Sequence, residues 1–396
     1  MGRFPRSVVG ALLSCLLLAS FAAAAPDDPA AFTKSGFARY YMMDYDGAIR
    51  DFERAAQARP DDPFAVNHLL SAVLFRELYR AGALDTSLYS NNSFLDRRQF
   101  PIDPAARERI LQLTDRALEL AEARLRSNPQ DVDALYARGV TRSLRATYIG
   151  LVEKSWYAAL KSAWGARSDH EEVLKLSPGY ADAKNVVGIH EYIAGSLPFF
   201  VKVLAQLTGH GGSKQKGLSY LADAGAHGKE TSVDARIMLA VFLRREQRFL
   251  EALEVARGVS RSHPRNFLLA LEEANILNDA GRGAEAIAAY RKVLDAGRAG
   301  TYFEPHLELA AWGLGESLRG QRQNAAAAEA YESVLTYPRT EPELRRKATL
   351  AAGEMYDLLE KRDLALQRYN AVIAAQPDSS QAQTARKRLQ RPYRLP

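Results

Sequence analysis

An all-α solenoid of stacked helical hairpins is the fold class this sequence predicts, on three observations. The first is a recurring spacing: a small residue, Ala twelve positions later, an aromatic or Ala four on, Ala or Val three on, and often Pro five beyond. Gly36, Ala48, Phe52, Ala55 and Pro60 carry it in full, as do Gly353, Ala365, Tyr369, Val372 and Pro377. Ala240, Ala252, Ala256, Val259 and Pro264 make a third copy. The second observation is the period: Ala252, Ala286, Ala327 and Ala365 follow one another by 34, 41 and 38 residues, around the roughly 34-residue repeat of a two-helix solenoid. The third is the chemistry of the positions. Only Gly or Ala lets two helix backbones cross closely, a ring four residues on fills the space between hairpins, and Pro ends the second helix by withholding an amide hydrogen.

The first 25 residues read as a cleaved signal peptide. Arg3 and Arg6 form a positive start, Val8 to Leu18 an apolar stretch, and Phe21 to Ala25 a run of small residues before Pro26. The apolar stretch is shorter than the roughly 20 residues of a spanning helix. A lipoprotein anchor at Cys15 is disfavoured, because the apolar run before it is too short. The pattern then predicts two tracts. N-terminal and middle hairpins occupy 31–228, with irregular insertions at 82–103 and 195–228, and a C-terminal array occupies 233–385.

Within the first tract, helices are expected over Asp62 to Ala81 and Pro104 to Arg126, separated by a link with Asn91-Asn92-Ser93. Long links of this kind are often functional. Asp131 to Ile149 and Ser155 to Leu176 form the next hairpin, and another begins at Tyr180 with Gly188 at its crossing. Leu197 to Leu207 is apolar nearly all round, Gly209, Gly211 and Gly212 break the chain, and Lys214 to Ala226 is helical again. The C-terminal array holds Ala286, Tyr290 and Val293 in one hairpin and Ala327, Tyr331 and Val334 in the next. Residues 386–396 form a basic tail, with Arg386, Lys387, Arg388, Arg391 and Arg394 on a frayed, solvated end. Contact of that tail with an anionic polymer or lipid surface is the sharper alternative.

These residues resemble the tetratricopeptide repeat family, across the first hairpin and the C-terminal third. The resemblance implies a right-handed superhelix of about seven to eight hairpins, with first helices lining a concave groove that binds protein segments. The order Gly188, Ser196-Leu197-Pro198, Gly209, Gly217-Leu218 also resembles the middle of eukaryotic inclusion-body clearance proteins, themselves helical repeats.

The formal charge of +6, two of it from Arg3 and Arg6, comes from 53 Lys and Arg set against 47 Asp and Glu. That mixture disfavours nucleic-acid binding. Cys15 is the only cysteine, so the mature chain has neither disulfide nor thiolate chemistry, which fits a bacterial envelope compartment. None of the seven His has metal-ligand spacing. His190-Glu191 opens like a zinc-protease motif, but Ala194 stands where the second ligand belongs. His170 is expected on a solvated helix face. Gly209-His210-Gly211-Gly212-Ser213-Lys214 lacks the strand and the spaced Gly-Lys-Ser/Thr of a phosphate loop and reads as a hinge. No catalytic residue, cofactor or metal site is expected.

The groove carries the functional expectation. Counted from the small crossing residues of the family pattern, Arg244, Arg245, Asn275, Asn278, Trp312, Glu316 and Arg319 point inward, followed by Glu354 and Asp357. Such a trough is basic at one end, amide-rich in the middle and acidic at the other, and suits an extended peptide or a carboxylate. The expected function is an exported, non-enzymatic scaffold for protein–protein interaction in the bacterial cell envelope. The alternative is a membrane-peripheral or lipid-handling protein that docks through 197–207, with Phe199, Phe200 and Leu204 as contacts. Neither reading fixes the partner or the oligomeric state.

Overall fold

The computed structural model describes residues 28–89, 100–196 and 211–395. Among them are 17 α-helices and no strand. They pair as α1 (Pro29–Tyr40) with α2 (Tyr45–Ala58), α3 (Pro63–Arg80) with α4 (Pro104–Ser127), and α5 (Val132–Tyr148) with α6 (Trp156–Leu176). Then come α7 (Ala183–Gly195) with α8 (Lys214–His227), α9 (Ser232–Arg245) with α10 (Phe249–Ser262), and α11 (Phe267–Asp279) with α12 (Gly283–Arg298). The last pairs are α13 (Leu307–Gly320) with α14 (Asn324–Val334) and α15 (Pro342–Leu358) with α16 (Arg362–Ala375), closed by α17 (Ser380–Gln390). The described residues thus form eight hairpins and a capping helix, the architecture that the spacing predicts.

Helix starts in the first half are written in aspartate. Asp44, Asp62, Asp103 and Asp131 each accept from an amide of the first turn, at Gly47, Phe64, Ala106 and Ala134. Pro29, Pro63 and Pro104 supply a preset φ where no donor is needed. The turn inside a hairpin follows a different rule. Met43, Gln247, Gly281, Arg322 and Glu360 all have positive φ, between 57° and 71°. Each lies five residues before the second-helix alanine (Ala48, Ala252, Ala286, Ala327, Ala365). The left-handed residue is therefore a repeat feature, held in four copies without glycine at a cost of about 1 kcal/mol each.

The close crossings are glycine pressed beneath a ring. A Cβ built on Gly36 would stand 2.5 Å from the Phe52 ring, one on Gly315 2.5 Å from Tyr331, and one on Gly353 2.7 Å from Tyr369. Gly139 makes the same contact with His170. This corrects the sequence reading of His170 as solvated. The side chain is fully buried, its Nδ1 2.8 Å from the Ala166 carbonyl oxygen, and burial pushes its pKa down. It occupies the ring position of the third hairpin, where Ala166, His170, Val173 and Pro178 keep the second-helix spacing. A π-helical turn, Ile149–Glu153, and a left-handed Lys154 separate that helix from α5.

Gly315→Ala is expected to destabilise the chain by about 1–3 kcal/mol, because the Tyr331 ring cannot withdraw from a packed core. Gly258→Ala, inside α10 with open space around the added methyl, is expected to stabilise it by about 0.5–1 kcal/mol. Urea unfolding of the two variants checks both signs.

Candidate partner-binding groove

The first helices α9, α11, α13 and α15 carry the residues predicted to line the groove, and the structure divides them into two stretches. Across α9, α11 and the start of α13 the inner face is filled by the chain's own N-terminal part. The Tyr41 hydroxyl lies 3.0 Å from Asp234 and the Asn266 amide donates to the Tyr41 carbonyl oxygen at 2.8 Å. The Tyr79 hydroxyl donates to the Glu304 carbonyl oxygen at 3.1 Å, and His306 Nε2 lies 2.9 Å from the Tyr79 carbonyl oxygen. The first part of the 82–103 insertion, with its 3₁₀ turn Thr86–Tyr89, joins this packing, and the Thr86 hydroxyl donates to Glu272.

Arg244 belongs to that closed stretch. It is 6% exposed, with its guanidinium 2.9 Å from Glu272 and 2.7 Å from Asp279. The sequence reading offered it to a ligand; the fold commits it to two internal carboxylates. Burial raises the pKa of Glu272 despite the opposing pull of Arg244. Arg245 is half-buried and within electrostatic range of Tyr192 and Glu246, which are hydrogen-bonded at 2.7 Å.

The amide-rich middle is also engaged. Asn275 accepts from the Tyr290 hydroxyl and Asn278 from the Ser317 hydroxyl, both at 2.7 Å. The Tyr331 hydroxyl donates to Glu316. A pattern emerges: the ring that covers the crossing also ties down a polar residue of the first helix, because its para-hydroxyl reaches past the small crossing residue, Ala274 or Gly315.

The second stretch lies on α13 and α15. Trp312 is half-buried with its ring 5.4 Å from that of Tyr331. Arg319 pairs with Glu354 at 3.1 Å. The Asp357 side chain is wholly buried and accepts from Arg362, from the Tyr369 hydroxyl and from the Tyr393 backbone N–H, each at 2.7 Å. Tyr393 is the member that sequence reasoning missed. Residues 386–396 were expected to fray, yet 380–390 are helical and Arg388 reaches Glu354 at 3.2 Å. The Tyr393 hydroxyl accepts from Arg319 at 2.9 Å. The available signal was the single aromatic, behind Pro392, in a tail otherwise basic.

The remaining candidates resolve as packing. Glu191 is buried and accepts from the Ser213 amide at 2.9 Å and from Lys216 at 2.8 Å, with Arg167 at 3.2 Å. Lys214 pairs with Glu246 at 2.8 Å. Of the stretch read as a hinge, Gly209 and His210 lie outside the described residues, and Ser213 at the start of α8 is bonded to Glu191 of α7. Among the described residues, no group of three or more His, Cys, Asp or Glu is placed to hold a metal ion, and no helix is long and apolar enough to cross a membrane. The signal peptide and Phe199, Phe200 and Leu204 lie outside the described residues.

Residues 234–301 match the family model described as tetratricopeptide repeat. That segment carries tetratricopeptide repeats. Repeats of this kind imply a protein–protein interaction scaffold, a fold that is typically non-catalytic. No curated protein matches it. Similar solved structures include yeast Tom70, at 12% identity over 92% of this chain and 90% of that one, TM-score 0.42. Pseudomonas aeruginosa pilF is 15% identical over 63% of this chain and 98% of its own, TM-score 0.40. A tetratricopeptide repeat protein from Parabacteroides merdae is 14% identical over 82% and 98%, TM-score 0.34.

Burial holds the Asp234 carboxyl up at about 6, against the opposing hydrogen bond from Tyr41. A raised carboxylate contributes stability below its unfolded value of 3.8 and loses it as pH rises through 6. Asp234→Asn keeps an acceptor for Tyr41 and removes the charge. It is expected to gain about 1–2 kcal/mol over wild type near pH 8 and nothing near pH 4, read as the difference between thermal melts at the two values.

Proposed function

We propose that this protein is an exported scaffold of the bacterial cell envelope that captures a protein segment on the inner face of its C-terminal hairpins. The observation that carries the site is the α13–α15 surface, where a half-buried indole at Trp312 stands one helical turn from Glu316 and two from the Arg319–Glu354 pair. An aromatic anchor beside paired charges is the composition of an interaction hot spot. The first stretch of the inner face offers less, since Tyr41, Tyr79 and Thr86 already fill it.

Export rests on the leader: Arg3 and Arg6, the apolar Val8 to Leu18 and the small residues up to Ala25. The mature chain's lack of cysteine accords with it. Mass spectrometry of the protein recovered from the envelope fraction is expected to show an N-terminus just after Ala24 or Ala25. An intact Met1 there sinks the export reading.

For the groove, a photo-crosslinking side chain at Trp312 is expected to trap one partner in the native envelope. The Trp312→Ala variant is then expected to bind that partner about 30-fold more weakly, the loss of a hot-spot aromatic. Charge reversal at Arg244 is not a fair test, because it leaves Glu272 and Asp279 unpaired in a buried site. Unchanged affinity in Trp312→Ala means that the partner binds elsewhere.

A further inference from the structure

After α17 the chain turns back on itself. Arg391 is extended, with φ −135° and ψ 118°, and the next residues run across the faces of α13 and α15. The contacts of this short strap are few and directional. The Tyr393 amide donates to the buried Asp357 carboxylate at 2.7 Å, and the Tyr393 hydroxyl accepts from Arg319 at 2.9 Å. Its ring lies 4.6 Å from the Arg388 guanidinium and 5.3 Å from that of Arg319. Glu354 pairs with both guanidiniums, at 3.2 and 3.1 Å, and so fixes the walls on either side of the ring. The flanking Arg394 and Leu395 are exposed.

We propose that this is a binding site for an extended, tyrosine-bearing protein segment, and that residues 391–395 occupy it in cis. The strap is held by one main-chain amide, one ring and one hydroxyl, all groups that a segment from another protein also presents. No large apolar side chain locks it in place. The receiving groups need no rearrangement, because Asp357 is fixed by Arg362 and the Tyr369 hydroxyl and Arg319 by Glu354. Net charge does not select the partner, since Glu354 is paired with Arg319 and Arg388 and Asp357 with Arg362. The fitting segment is extended, brings a main-chain N–H to Asp357, and carries a tyrosine whose ring lies beside the two guanidiniums of Arg319 and Arg388. This specifies the ligand class of the α13–α15 surface and rests on the reading of that surface as the partner site.

A tethered occupant acts at an effective concentration of about a millimolar. A free copy of the same segment therefore competes poorly until the tether lets go. The test uses the full chain and a fluorescent peptide of residues 390–395, read by anisotropy. Tyr393→Ala is expected to bind the peptide at least about tenfold more tightly than wild type. The same peptide with Ala in place of tyrosine is expected not to bind, and Arg319→Ala in the Tyr393→Ala background is expected to weaken binding about tenfold. Circular dichroism melts of each variant show that the array is intact.

Equal binding to wild type and Tyr393→Ala, or no binding to an intact Tyr393→Ala chain, overturns the proposal. So does a Tyr393→Ala chain that has lost its helical melt, which makes the strap a structural clasp. Because the probe is the chain's own segment, the result is separate from partner capture at Trp312: either can fail with the other standing.

Discussion

The contact between a backbone without a side chain and the flat of an aromatic ring sets the geometry of this molecule. At Gly36, Gly315 and Gly353 the ring from the second helix lies where a Cβ would be, so the two helices of a hairpin approach by the thickness of a ring. That distance lets the second-helix alanines be fully buried. It also fixes where the ring's far end emerges. In the hairpins with tyrosine, the hydroxyl appears on the inner side and bonds a polar residue of the first helix: Asn275, Glu316 or Asp357. Packing and the polarity of the inner face are thus one device. Phenylalanine at position 52 and histidine at position 170 keep the packing and forgo that bond.

The device has a consequence for the groove. A polar residue tied to a tyrosine is oriented but partly spent, so the inner face offers fewer free donors and acceptors than its sequence suggests. The chain spends more of it by folding back. Tyr41, Tyr79 and Thr86 reach residues more than 150 positions away. Arg244, Glu272 and Asp279 pair with one another between α9 and α11, and the Thr86 hydroxyl donates to Glu272 from the N-terminal side. The closed stretch therefore behaves as core, and α13 and α15 keep the part of the inner face that residues 41–86 do not fill.

Local structure was legible in the sequence wherever the repeat kept its register. The helix expected over 62–81 spans Pro63–Arg80, and that over 104–126 spans Pro104–Ser127, because Pro and Asp mark their starts. The crossing glycines were legible for the same reason, since their spacing is a property of one hairpin. Three things were not. His170 does the work of a ring, but between polar neighbours it reads as surface, and the π-helical turn before α6 breaks the distance back to Gly139. Four of the five left-handed turn residues are Met, Gln, Arg and Glu, so glycine announces the turn only at Gly281. The filling of the inner face depends on contacts between residues 41–86 and 234–308, which no periodicity encodes.

Tyr393 shows the limit most clearly. A tail with Arg386, Lys387, Arg388, Arg391 and Arg394 has the composition of a solvated end. A buried carboxylate 36 residues earlier helps to order it, together with Arg319 and the Arg388–Glu354 pair. Asp357 stands four residues after the crossing glycine, and without the strap its buried carboxylate would keep two donors, Arg362 and the Tyr369 hydroxyl. A buried carboxylate short of donors is costly, and an extended strap supplies a main-chain N–H at the lowest entropic cost, since α17 already delivers the chain within reach. The same economy bears on the proposed exchange of the strap: any extended backbone brings an N–H, and only the ring and its hydroxyl distinguish one occupant from another.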